Sequence, residues 1–469
     1  FRCTVFEQHN LPGGVCTAWN RRGYTIDGCI HWLMWTKPGS SMYEVYRELG
    51  LVDAEAFMPL THYARFVDTL SGKSLTVDWD LHKLEAELLA ISPDDAAPIH
   101  ALCRAIERAS HADMLIADAP ELAGAATGLR QLWMLRSALP VFAMHRGSVE
   151  EWTKRLRSPL LARMLQSLFL PELPMFAAIL ALGHLVSGKM GVFRGGSLEF
   201  SRVLERRLDA LGGELVYGAM VEKVLVDGKK AIGVRLSDGS EHRADLVVSA
   251  ADGRSTIFDL LDGRFIDDKL KSRYETWPRF RPVVMASFGC SYDFRQHVPS
   301  STFFLRQPFE TPGRSVDSLH TRHFAYDPTL APAGNTVLQV LLESDWDSWF
   351  RLRSDRLAYK DAKEAIADAV LERLEEVYPG LQSSVEVRDV ATPYTMWRYT
   401  RNDRGAYEGW LPTTKSFFAS FDKKLPGLEQ FYMIGQWTTP GGGIPPALCA
   451  GRHLLQLLCK ERKQRFKSA

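Results

Sequence analysis

The sequence predicts an α/β protein made of two intermeshed domains, and three observations predict it. Near the start, Cys-Thr-Val-Phe-Glu (3–7) reads as a short apolar strand ending in an acid, followed by a Pro12-Gly13-Gly14 turn. Between 214 and 250, short apolar runs alternate with Asp-Gly pairs at 227–228 and 238–239, which supply the positive φ angles that hairpins need. Near the end, Phe431-Tyr432-Met433-Ile434 leads through Gly435 into Pro440-Gly441-Gly442-Gly443-Ile444-Pro445-Pro446 and then an amphipathic helix over about 447–460. A chain of 469 residues also exceeds what one hydrophobic core usually organises.

Residues 1–75 are rich in strand and turn signals. Helical periodicity then dominates 76–189: Ile99, Leu102, Cys103 and Ile106 share one face, as do Leu160, Leu161, Met164 and Leu168, which predicts a helical cap. A helix over 198–211, with Phe200, Val203, Leu204 and Leu208 on its apolar face, stops at Gly212-Gly213. The meander follows (214–217, 221–226, 231–236), closed by Ala244–Ala250, an apolar run of the buried type. Residues 266–385 hold strands at 283–288 and 336–342 and a helix near 360–378, which makes a second lobe. The expected division is therefore a nucleotide-binding unit from 1–75, 190–265 and 386–469, the cap at 76–189, and a substrate-domain sheet and helix at 266–385.

Composition excludes several classes. With 57 Lys plus Arg against 56 Asp plus Glu the net charge is +1, which provides no field for nucleic acid. The seven cysteines show no CxxC or CxxH spacing, so no metal site and no disulfide framework is expected, and a reducing cytosol is the expected compartment. The longest apolar stretch, 175–186, is too short to cross a bilayer, which leaves contact with a membrane surface open.

A carboxylate at a strand end accepts hydrogen bonds from both ribose hydroxyls of a dinucleotide, and Glu7 is placed for that. Gly13 and Gly14 let backbone amides approach a phosphate without an intervening side chain. The triple glycine exposes amides at a helix start, where the positive end of the dipole stabilises negative charge on a bound ring. Such a unit also needs a first strand, a GxGxxG turn and a helix, about thirty residues in all. No GxGxxG occurs in the chain, so that segment is expected ahead of Phe1 or in a stretch missing from the sequence.

Taken in order, these stretches, with Gly23–Gly28 (GYTIDG), 193–234, Ala244–Asp252 (ADLVVSAAD) and Thr392–Trp410, resemble the phytoene desaturase-like FAD-dependent oxidoreductases. That family includes carotenoid desaturases, carotenoid isomerases and retinol saturases within the amine-oxidase-like flavoproteins. The resemblance implies a Rossmann-like FAD-binding domain with an inserted α+β substrate domain and a helical cap. It implies that Glu7 holds the adenosine ribose, that Gly13 and Gly14 pass the phosphates, that Val221 meets the adenine through its backbone, and that Gly435, Gly443 and Ile444 line the ribityl chain and flavin.

In such a family the flavin N5 exchanges a hydride with a substrate carbon, so no metal or protein nucleophile is required. His31 is the candidate proton shuttle, or else a buried histidine bonded to a backbone carbonyl. Arg404 either orients a polar head group or pairs with Asp403, and Trp437 either faces the flavin or is a structural aromatic. The expected substrate is a lipophilic polyene or isoprenoid. The alternatives are an FAD-dependent oxidase of amines or polar small molecules, and a flavin-fold partner protein without catalysis. Monomer and homo-oligomer are equally open.

Overall fold

A computed structural model describes residues 1–469 except 54, 115, 420 and 469. Its centre is a seven-stranded sheet in the order Val385–Ala391, Val283–Cys290, Thr336–Glu343, Arg314–His323, Ser300–Thr311, His62–Asp68, Ser74–Asp78. All neighbours are antiparallel except Ser300–Thr311 and His62–Asp68, which run parallel with Ser301 opposite Arg65.

Both faces of this sheet are covered, and the two-residue period of its central strands shows by what. Val284, Ala286, Phe288, Leu338, Val340 and Leu342 point to one side, where they share a core with Ile366, Val370 and Leu374 of the helix Arg356–Val377. The odd-numbered residues point the other way. Gly289 lies against the ring of Tyr24, Val337 packs with Tyr24 and Ile26, and the Gln339 amide donates to the Asp27 carbonyl at 2.7 Å. The sheet therefore presents one face to the Ala18–Arg21/Tyr24–Asp27 hairpin.

The sheet draws strands from all along the chain. His62–Asp68, Ser74–Asp78 and Val385–Ala391 belong to it, although they were expected in or at the border of the nucleotide-binding unit. Strand pairing is non-local, and Ala64, Phe66, Leu75 and Val77 have the apolar alternation to seal the sheet against the cap.

The cap is helical as expected. Leu81–Ile91, Ala96–Ser110, Pro159–Leu168 and Met175–Val186 bury their apolar faces in one core. Among the described residues no helix is long and apolar enough to cross a membrane.

The remaining unit contains two parallel strand pairs, Thr4–Phe6 with Glu214–Val216 and Val247–Ser249 with Phe431–Met433. Beside them lies the meander Val221–Asp227, Lys230–Leu236, Glu241–Arg243, turning at Gly228 and Gly239. The final helix, Ile444–Glu461, starts a turn earlier than its apolar pattern suggested, because Pro445 and Pro446 fit the first helical turn, where their missing amides have no intrahelical partner.

Candidate active site

The N-terminal contribution is built on the parallel pair. The Glu7 amide donates to the Val216 carbonyl at 2.9 Å and its carbonyl accepts from Ala219 at 2.9 Å. Val221 begins the meander two residues later, which keeps it close to the acid. The Glu7 carboxylate is half-buried and accepts the His9 amide at 2.8 Å; burial raises its pKa and the contacts with His9 partly offset the rise.

Gly13 and Gly14 are exposed and have positive φ, +102° and +62°, but their surroundings differ. A Cβ on Gly13 would lie 2.0 Å from the Cys16 carbonyl oxygen and 2.3 Å from Ser201 Oγ, so this glycine is required by the turn itself. A Cβ on Gly14 would meet no protein atom within 4 Å. Gly14 is the one whose free side suits the approach of a ligand.

The segment 27–31 is clamped from three directions. Asp27, 2% exposed, accepts from the Ser197 amide (2.6 Å), the Ser197 hydroxyl (2.7 Å) and the Cys29 amide (3.0 Å), which ties it to the start of the helix Gly196–Ala210. Arg322 donates to the Ile30 carbonyl, and the Tyr407 hydroxyl lies 3.0 Å from the carbonyls of Gly28 and Cys29. These bonds hold His31 with its ring stacked on Tyr407 at 6.0 Å.

The His31 ring makes no hydrogen bond among the described residues, so it is not the carbonyl-bonded histidine. Burial, helped by the Arg322 charge, lowers its pKa to about 3, so the imidazole stays neutral and is a poor proton acceptor at physiological pH.

At the other end, the strand Phe431–Met433 runs into Gly435 (φ +91°), and Gly443 (φ +77°) precedes the helix Ile444–Glu461. A Cβ on Gly443 would meet nothing within 4 Å, as at Gly14, so the amides at this helix start are open to a ligand. Gly442 is different: a Cβ there would lie 2.8 Å from Glu408 Oε2.

The two ends meet. Cys16, Phe200, Ile444, Leu448 and Cys449 pack in one core, and the Gln8 side chain donates to the Tyr399 carbonyl. A cavity of about 340 Å³ opens between the N-terminal loop and the helix Pro393–Thr400, lined by Gly14, Gly28, Trp19, Lys363, Arg398 and Tyr399. Two open glycine loops on one shared core, with an acid at a strand end, fit a flavin nucleotide: Glu7 would hold the ribose, Gly14 the phosphates, and Gly435, Gly443 and Ile444 the ribityl chain and ring.

Two further residues read from sequence lie elsewhere. Trp437 is 2% exposed, packed edge-on against Trp410 at 5.2 Å, with its carbonyl accepting from the Trp410 indole at 3.1 Å. It is a core aromatic. Arg404 is exposed and does not pair with Asp403, whose carboxylate meets Arg279 at 2.5 Å and Arg254 at 4.0 Å.

Sequence reasoning missed Glu408 and Arg322. Glu408 is half-buried, makes no hydrogen bond or ion pair among the described residues, and has its pKa raised to about 7 by burial. The available signal was its place between Tyr407 and Gly409-Trp410, where a solvated acid is out of character. Arg322 is 8% exposed and has no ion-pair partner among the described residues, so it holds a fixed positive charge beside His31.

Comparison with known proteins gives the family. The family model for flavin containing amine oxidoreductase matches residues 1–453. The chain is 28% identical over 281 residues to chloroplastic prolycopene isomerase of Daucus carota, covering 58% of this chain and 44% of that protein. It is 24% identical over 481 residues to the lycopene-forming phytoene desaturase of Pantoea ananas, covering 97% and 94%. The cyclohexylamine oxidase of Brevibacterium oxydans IH-35A shares the fold, with a TM-score of 0.57 at 13% identity over 98% of this chain and 93% of that one. The chain spans about half the length of the prolycopene isomerases it matches. It belongs to the flavin-containing amine oxidoreductase family of FAD-dependent oxidoreductases.

Proposed function

We propose that this flavin-family chain desaturates, saturates or isomerises a lipophilic polyene or isoprenoid-like compound. The bound flavin supplies the hydride acceptor or donor, and the protein aligns the substrate carbon and excludes water.

The observation that carries this reading is an aromatic cluster packed against the cap core. Trp32 contacts Tyr63 at 5.8 Å, Tyr63 contacts Phe169 at 5.4 Å, and all three rings are half-buried against the cap core. Phe176 of the same core meets Phe417 at 5.0 Å and stacks on Phe418 at 5.5 Å. Phe418 is 72% exposed, and Leu129, Leu132, Trp133 and Met144 are exposed on the cap as well. Large apolar side chains at the surface are expected where a lipid-borne substrate is taken up. The names of the polyene-acting relatives support the same class.

Arg322 favours this reading over an amine oxidase. A fixed positive charge beside His31, with no acid paired to it among the described residues, repels an ammonium group and leaves a hydrocarbon unaffected.

The test is organic extraction of the purified full-length protein, with mass spectrometry of the extract and flotation of the protein with liposomes. The expected result is a co-purified polyene or isoprenoid and a vesicle-bound fraction that falls when Trp133 and Phe418 are changed to serine. An extract free of such compounds, together with flavin reduction by amines, would replace this reading with the amine-oxidase one.

A further inference from the structure

The geometry points to Glu408 as the side chain that takes the proton from, or returns it to, the substrate carbon next to the one that exchanges hydride. This rests on the polyene reading above.

Three observations converge on it. First, Glu408 stands against the cofactor loop, because a Cβ on Gly442 would lie 2.8 Å from its Oε2. Second, its charge acts on groups from the rest of the site: Cys29 on the clamped segment, Tyr63 on the strand His62–Asp68 at the aromatic cluster, and its neighbour Tyr407. All are neutral proton donors whose pKa values are raised, so no cation among them holds Glu408 ionised. Third, the carboxylate has no hydrogen bond or ion pair among the described residues, so its oxygens are free to take or give a proton.

A carboxylate without a protein partner, set between a cofactor loop and an aromatic cluster, is a candidate working group. Its pKa, raised to about 7, lets it exchange a proton near neutrality, which His31 at about 3 does not.

The step balances. In desaturation one C–H bond of the substrate breaks with its electron pair leaving as hydride, so the substrate is oxidised and the flavin reduced. The neighbouring C–H bond breaks, its electron pair becomes the second bond of C=C, and its proton forms an O–H bond on the Glu408 carboxylate. Saturation runs through the same positions in reverse, with the carboxylic acid as donor.

The test compares wild type with Glu408→Gln and Glu408→Asp as full-length, flavin-loaded protein. Infrared titration of wild type minus Glu408→Gln should show a carboxylic acid band that disappears with a midpoint near pH 7, distinct from that of buried Asp252, which titrates near 6 in both proteins. The same shift makes the folded state bind a proton more tightly than the unfolded state. Wild type therefore loses stability as pH rises from the ordinary carboxylate range through about 7, and Glu408→Gln should melt higher than wild type at pH 8.5 but not at pH 4.

With a polyene substrate, Glu408→Gln should lose at least about 100-fold in turnover with flavin affinity unchanged within about twofold, and Glu408→Asp should recover part of the rate. A wild type lacking the titrating band, or a Glu408→Gln enzyme that keeps both rate and pH profile, overturns the assignment. A wild type that turns over no polyene overturns the functional reading instead, and the infrared band distinguishes the two failures.

Discussion

Gly13→Ala is expected to destabilise the protein by about 3 kcal/mol or more, as other substitutions do that combine overpacking with a forbidden backbone angle. The added methyl would sit 2.0 Å from a backbone oxygen, at φ +102°, and would displace Ser201 Oγ, which donates to that same Cys16 oxygen at 2.5 Å. Backbone and a buried hydroxyl have nowhere to yield. The adjacent Gly14→Ala should behave differently. Its methyl meets no protein atom, so the fold loses only about 1 kcal/mol for the left-handed angle. FAD affinity should nevertheless fall at least about tenfold, since the methyl stands where a phosphate must approach. Chemical denaturation and flavin titration on the two variants separate the glycine that makes the turn from the one that meets the ligand.

Asp27→Ala is the second large effect. It removes the acceptor for two N–H groups and a hydroxyl in a site 2% exposed, and buried donors left unpaired cost about 1–3 kcal/mol each, so a total of about 3–5 kcal/mol is expected. The loss should not stop at stability. Asp27 joins the start of the helix Gly196–Ala210 to the segment carrying His31, so flavin affinity and turnover should fall together. Urea unfolding with flavin fluorescence reads both. A variant as stable as wild type would mean that Arg322, Gln339 and Tyr407 hold the segment without it.

What was legible in the sequence was local. The triple glycine, the Asp-Gly turns and the proline pair before the last helix each depend on the angles of a few consecutive residues, and the structure has them where the sequence places them. Trp437 was not legible in the same way. Whether a tryptophan beside a glycine loop faces ligand or core is decided by Trp410, twenty-seven positions away. Glu408 was missed because a single acid in a stretch rich in arginine and tyrosine reads as a solvated partner. Only the fold brings Tyr63, Cys29 and Gly442 around it. The place of the strands at 62–78 in the sheet was not legible, because the pairing that fixes it is with residues 301–304, far away in sequence.

The account depends on the two ends of the chain closing on one nucleotide. Hydrogen exchange on the full-length protein, with and without FAD, tests this most directly. Binding of one FAD per chain should slow exchange at the amides of residues 7–16 and 435–447 together, with the same concentration dependence. Protection confined to one of the two loops, or to neither, would contradict it.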